Sequence, residues 1–295
     1  MNWIINIQTF LQLFSQTIGS IIKIIFLTKF SFIGKIKKKE SNSNLLILGN
    51  GPSLKSDIEN NLEIIRKFDL LAVNYFATTD YFSTLKPQYY SIAAPEMFKN
   101  NSNPEILKNS KQLFKDIAKK TNWPMTLFIP AIAYKANEWK KIILENKNID
   151  IVYFNNTPIN GFKWFKYFLW KNNYGMPRPH NVLIPSLIIS INLKYNNIYI
   201  NGADHSWLKE ISVNNQNEAL INQKHFYDYN SSTPKPMHKG GKGQRKLHEI
   251  LEKFYFTFKS YHEINEFANS QDIKIINLTE GSFIDAFKRE KFQNI

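Results

Sequence analysis

The stretch that most constrains the fold is Asn44–Leu54, Asn-Leu-Leu-Ile-Leu-Gly-Asn-Gly-Pro-Ser-Leu. Leu45–Leu48 is a short apolar run of the kind that forms a strand buried on both faces. Gly49, Asn50 and Gly51 follow at once. They permit positive φ and the close backbone approach that a phosphate-carrying ligand requires. Pro52 has the fixed φ favoured in the first turn of a helix, and Ser53 offers a hydroxyl there. Strand, glycine turn and helix start make the first βα unit of a nucleotide-binding α/β sheet, with the ligand outside the carboxyl end of the strand. An ordinary βα turn shares this grammar, because the stretch is neither a Walker loop nor a full dinucleotide fingerprint.

A chain of 295 residues, 43% hydrophobic, can bury one large α/β core or two small ones and is not disordered. It has no cysteine, so disulfides, thiolate nucleophiles and cysteine zinc sites are excluded, and a reducing compartment fits. The net charge of +14 points to an anionic partner: nucleic acid, a phosphorylated substrate or an anionic membrane face. A genomic bias toward Lys, Asn and Ile would produce part of the same excess.

Residues 2–27 place Ile4, Ile7, Leu11, Phe14, Ile18, Ile21, Ile22 and Ile25 at helical spacing, with Asn6, Gln12, Gln16, Ser20 and Lys23 largely between them. The helix is amphipathic, which argues against a clean transmembrane span, and no signal-peptide pattern is present. The cluster Lys35-Ile36-Lys37-Lys38-Lys39 follows, ahead of a short polar linker, Ser41-Asn42-Ser43-Asn44. Together they predict a peripheral anchor on the cytoplasmic face of the inner membrane, at ~1 kcal/mol per Lys near an anionic surface. A helix packed on the protein's own core, or on a partner, is the competing reading. Residues 1–40 are thus expected to form an anchor and basic linker, and residues 41–295 a single catalytic α/β domain.

Further strands are expected at Leu70–Val73, Tyr89–Ile92, Thr126–Ile129, Ile151–Phe154, Ile198–Ile200 and Ile273–Leu278. Helices are expected at Ile58–Arg66, in the second half of Asn100–Asn122, at Val182–Leu193, from residue 244 onward, and at Ser282–Phe292. Asn74 ends the second strand on the same rim as Asn50, where it acts in binding or caps a turn. After Ile200 comes Asn201-Gly202-Ala203-Asp204-His205. Gly202 leaves room for a ligand or a neighbouring backbone, and Asp204 accepts from a ribose or base, or caps a loop. The aromatic run Phe162–Trp170 is expected to pack in the core or lid, with a membrane-facing or acceptor-facing patch as the competing reading. Residues 205–243 form an irregular lid ending in Pro236-Met237-His238-Lys239-Gly240-Gly241-Lys242-Gly243. A His among glycines and lysines suits meeting phosphate and deprotonating a hydroxyl. His180, in the loop Pro177-Arg178-Pro179-His180-Asn181, is its rival. Arg178, Lys239 and Lys242 are candidate phosphate contacts. No Asp-x-Asp metal motif, Walker loop, Gly-x-Ser-x-Gly elbow or His-Glu-x-x-His occurs, which favours metal-independent group transfer with no bound cofactor.

In this order, Ile-Leu-Gly-Asn-Gly-Pro-Ser-Leu, Asn74, Asn196-Asn197-Ile198-Tyr199-Ile200-Asn201-Gly202-Ala203-Asp204 and His238 before a long helix, the chain resembles the bacterial lipooligosaccharide sialyltransferases of glycosyltransferase family 42. It is similar more widely to flagellin-modifying Maf glycosyltransferases and to archaeal hydroxymethylpterin diphosphokinase-like proteins. The resemblance covers about residues 44–285. It implies a Rossmann-like (GT-A-like), mostly parallel sheet flanked by helices, a mobile lid, a CMP-linked acidic sugar donor, and inverting transfer to a cell-surface glycan or glycolipid. By carry-over, Asn50, Gly51, Ser53 and Asn74 hold the nucleotide and its phosphate, Gly202 and Asp204 line its end, and His238 is the base. The family's Ser-Gly before the buried helix is replaced near Asn181-Val182, and its lid tyrosines have no clear match, though Tyr227 or Tyr229 lies in the region. Nucleic acid is not an expected partner. Two other classes compete: an ATP- and magnesium-dependent pyrophosphokinase-like enzyme, and a non-enzymatic module that binds an anionic polymer or membrane.

Overall fold

A computed structural model describes residues 2–36, 44–98, 104–222, 224–227, 233–238 and 243–295, with the backbone alone for 2–6. Lys37–Lys39, the linker Ser41–Ser43, Tyr229, Lys239 and Lys242 lie outside the described residues.

The centre is an eight-stranded sheet in which every pairing is parallel. Its strands are β1 (Asn44–Leu48), β2 (Asp69–Val73), β3 (Tyr89–Ser91), β4 (Met125–Pro130), β5 (Ile149–Phe154), β6 (Asn197–Asn201), β10 (Lys274–Asn277) and β11 (Lys288–Arg289). The order across the sheet is β11-β10-β6-β1-β2-β3-β4-β5. The apolar run of the first motif is therefore the central strand, buried on both faces because helices cover both. Leu46 and Leu48 join a core with α2 (Leu54–Ile65), α4 (Pro104–Lys120) and α5 (Asn137–Leu144). Leu45 and Ile47 join the opposite core with α7 (Leu183–Asn192) and α8 (Leu247–Asn269). Neighbouring residues of one strand thus feed two layers, as the two-residue period demands.

The chain fills one half of the sheet from β1 to β5, then returns to place β6 on the other flank of β1. That reversal makes the crevice beyond the carboxyl ends of β1 and β6 the place where such sheets hold ligands.

The Rossmann-like α/β architecture is the expected one. Some elements differ. Residues 282–292 are not a helix: Ser282 Oγ donates to Ala203 O (2.7 Å) and Phe283 N to Asp204 O (2.9 Å). Backbone and side-chain groups are spent on the rim of β6, and the chain then pairs as β11 with β10. The lid contains a three-stranded antiparallel sheet, β7 (Ile211–Val213), β8 (Ala219–Ile221) and β9 (Lys235–Pro236). Its strands are too short to show periodicity. Ala219 and Ile221 pack on Ile250 and Phe254 of α8. The periodicity of α8 predicts one apolar stripe of Leu247, Leu251, Phe254, Phe258, Tyr261 and Ile264, but at the start of the helix Ile250 is buried, whereas Leu247 and Leu251 are exposed.

Helix α1 (Asn2–Leu27) lies along the domain. Ser20 Oγ donates to Asn160 O (2.8 Å) and accepts from Asn160 N (2.9 Å). Thr28 Oγ1 donates to Tyr174 O (2.8 Å). Ile24 joins the α7–α8 core and Phe32 the other. Within the aromatic segment, α6 (Lys163–Lys171) buries Leu169 and Trp170 and packs Phe165 and Tyr167 on the same core, but leaves Trp164 71% exposed and Phe168 61% exposed, so the expected packing fails for those two rings.

Candidate functional site

Two loops cross at the carboxyl rim. Gly49 N donates to Asn201 O and Gly51 N to Gly202 O, each at 2.7 Å. The loops lie so close that a Cβ on Gly51 would strike the Asp204 carboxylate and Gly202 O. Gly202, at φ +67°, has Leu54 and Gly49 O against its own Cβ position. The glycines are required first by this backbone crossing.

Beside the crossing lies a cavity of about 690 Å³. Asn50, Gly51, Asn74, Gly202 and Asp204 line it. Asn50 Nδ2 donates to Val73 O (3.1 Å), and Asn50 O accepts from Phe226 N of the lid (3.1 Å). Asn74 has φ 46°, the left-handed region that Asn tolerates best after Gly, and its carbonyl accepts from the Tyr90 hydroxyl. Asn50 Oδ1 and Asn74 Oδ1 are buried without a hydrogen-bond partner among the described residues. An unmet acceptor of this kind is costly unless a ligand or water meets it. Ser53 stands behind the lining and donates from Oγ to Asp204 Oδ2 (3.0 Å). Burial pushes the Asp204 carboxyl up, and the Ser53 hydroxyl draws it partly back.

The lining carries charges of both signs: Lys224 and Lys253, with Glu96, Asp204 and Glu210. Burial first, then the Arg245 guanidinium, which stands outside the lining, holds the Lys253 ammonium below the usual range, while Glu96 opposes the shift. His180 also lines the cavity. Burial first, then Arg178, Lys253 and Arg245, hold its imidazole at about 4, and its Nε2 is buried without a partner among the described residues. Arg245 Nε is likewise unmet. Among the described residues the Lys253 ammonium has only the weak Met237 Sδ acceptor at 3.9 Å, and a lysine so placed in a cavity lining suits an anionic ligand.

A third group fixes the rim. Asn181 Oδ1 accepts from Leu183 N (3.0 Å) and Ile184 N (3.2 Å), capping α7. This fixes its Nδ2 as the donor to Tyr261 Oη (2.7 Å). Tyr261 Oη, 2.6 Å from His205 Nε2, therefore donates to it, and the neutral ring carries its proton on Nδ1. Burial holds His205 at about 3, so it stays neutral at physiological pH.

His238 is exposed, bridged in the backbone ladder to Gln244, and is not among the lining residues; Arg178 is also exposed and outside the lining. The histidines that line the cavity are His180, His205 and His225. Tyr227 lines it from the lid. Lys253 and Tyr261 carried no motif in the sequence, and Asn181 and His205 stood in the loops 177–181 and 201–205 without a role; a lysine on an amphipathic helix looks like any solvated charge. Among the described residues no three His, Asp or Glu side chains cluster as metal ligands.

No protein-family profile matches the chain, and no curated protein matches its sequence. Among solved structures it is similar to the MAf glycosyltransferase from Magnetospirillum magneticum AMB-1, with a TM-score of 0.48 and 12% identity. The match covers 88% of this chain and 35% of that one, so the chain spans about a third of the other's length.

Proposed function

We propose that the cleft is the donor site of an inverting glycosyltransferase, which moves an acidic, sialic-acid-like sugar from a CMP-activated donor to a glycan or glycolipid acceptor. The observation that carries the reading is a cleft at the reversal of the sheet whose lining holds two unmet side-chain acceptors, Asn50 Oδ1 and Asn74 Oδ1, together with the ammonium of Lys253. A nucleotide offers what these groups lack: hydroxyl and amino donors on ribose and base, and negative charge on phosphate. A carboxylate on the sugar would extend the second match. In the step itself the acceptor hydroxyl oxygen bonds to the anomeric carbon as the bond from that carbon to the phosphate oxygen breaks. The electron pair leaves with CMP, and the hydroxyl proton passes to a base. Cations facing the phosphate stabilise that leaving charge.

The test is a thermal-shift panel of CMP, CDP, UDP and ATP on the full chain, with and without magnesium. A ligand present at about 100 times its Kd stabilises the protein by roughly 2.7 kcal/mol through mass action. Preference for CMP or CDP is expected. Preference for ATP with magnesium would make the cleft that of a pyrophosphokinase-like enzyme, and no shift with any nucleotide would remove the reading.

A further inference from the structure

Helix α1 divides into three sectors at 100° per residue. The inner one, Thr17, Ser20, Ile24 and Thr28, is buried. It is fixed by the Asn160 and Tyr174 bonds and by Phe162 N donating to Thr17 Oγ1 (3.2 Å). A second sector is exposed and polar: Gln8, Gln12 and Lys23. The third spans roughly 120° of arc on the same wheel and is apolar yet exposed: Phe10, Phe14, Ile18, Ile22 and Ile25, with Phe26, 75% exposed, at its border with the polar sector. Exposed side chains of α6 extend it. Phe10 lies 5.5 Å from Phe162, which precedes α6, and Phe30 reaches Phe168 through Tyr174 at ring separations of 6.3 and 6.5 Å. Trp164 stands out from the same helix. An uninterrupted apolar surface of this size on a folded domain marks an interaction face.

We propose that α1 and α6 form one lipid-facing plate that seats the domain on an anionic bilayer, with α1 lying in the membrane plane. Charge selects this occupant. No Asp or Glu precedes Glu40, and none falls between Asp150 and Asp204, whereas Lys23, Lys29 and Lys171 are exposed beside the plate. A second copy docking through the same patch would set those lysines against each other without a carboxylate from these segments. Residues Ile7–Leu27 are long and apolar enough to cross a membrane. Crossing would carry Lys23 and the glutamine sector into hydrocarbon, together with the irregular 155–162 backbone bonded to the inner sector. The plate also explains why Trp164 is exposed: amphipathic rings favour the interface.

The test is flotation of the full chain with vesicles of phosphatidylcholine alone or mixed with phosphatidylglycerol, for wild type and for Trp164→Glu/Phe168→Glu. Binding should favour the phosphatidylglycerol vesicles and weaken with salt. The α6 double variant should lose about tenfold or more in partitioning, with an unchanged melting temperature, because both sites are exposed. Equal partitioning of the variant would mean that α1 anchors alone and would overturn the plate. Resistance to alkaline carbonate extraction would show a spanning helix. Dimerisation without vesicle binding would show that a second copy covers the face. The result is independent of which nucleotide the cleft takes.

Discussion

Asn50 commits one end of its amide to Val73 O and leaves Oδ1 buried and unmet; Asn74 likewise leaves Oδ1 unmet, on a backbone at φ 46°. Each is expected to hold the nucleotide through that oxygen. Asn50→Ala should weaken CMP binding by roughly 1–3 kcal/mol, the usual loss for one hydrogen bond in a desolvated site. Asn74→Gly is the cleaner second variant, since glycine adopts this φ without strain. Calorimetric titration reads both, and unchanged affinity in the two folded variants would remove them from the site. The base is also a question of single residues. The resemblance implies His238, exposed on the lid just after β9, whereas His180 lines the cavity and is held neutral by burial and three cations. His238→Ala is expected to lower turnover by roughly 10²–10⁴-fold with donor affinity nearly kept. The same loss from His180→Ala, with His238→Ala active, would place the base at His180 instead.

Elements meet at the Asn181–Tyr261–His205 group, which ties the start of α7, the middle of α8 and the rim of β6. Its pH dependence follows from His205. The folded value of about 3 lies below the ordinary 6.5, so the unfolded chain takes up the proton first. Stability is full above 6.5 and falls as pH drops from there toward 3. His180, at about 4, acts with the same sign; the raised Asp57 and Asp204 carboxyls act oppositely, in the more acidic carboxylate range. Between pH 7.5 and 5.5 wild type should lose stability, and His205→Asn, which tolerates the left-handed backbone, should remove about 1 kcal/mol of that loss. Denaturant melts at the two pH values check it, and an undiminished loss in the variant would contradict the assignment. The lid works at this scale too: Phe226 N on Asn50 O joins it to the first motif, and β8 joins it to α8, so Asn50 and the helix that carries Lys253 share one connection.

Across the whole molecule, the first helix is bonded into the fold. Excision of residues 1–36 would strip Ile24 from one core and Phe32 from the other and leave Asn160 and Asn155 without partners from α1 and Lys29. A loss of roughly 3–6 kcal/mol is expected from the two side chains and their hydrogen bonds, read as a lower denaturation midpoint. An unchanged midpoint would show a detachable anchor, the arrangement that the polar stretch at residues 41–44 implies. What the sequence determined by itself was local: the buried strand Leu45–Leu48, the glycine turn after it, the strand ends at Asn74 and Asn201–Asp204, and the one-sided polarity of α1. Each follows from period, turn chemistry or a short apolar run, which neighbouring residues encode. Ser282–Phe292 shows the limit, since its helical pattern is overridden by bonds to a rim that sequence places about eighty residues away. Only the tertiary structure brought Lys253 into one cavity with Asn50, because the path of α8 across the sheet decides which face of that helix meets the cavity. It alone also decided the orientation of α1. The inward face turned out to be the threonine–serine stripe, because that stripe could satisfy the exposed backbone of the 155–162 segment, and this left the wide apolar face outward.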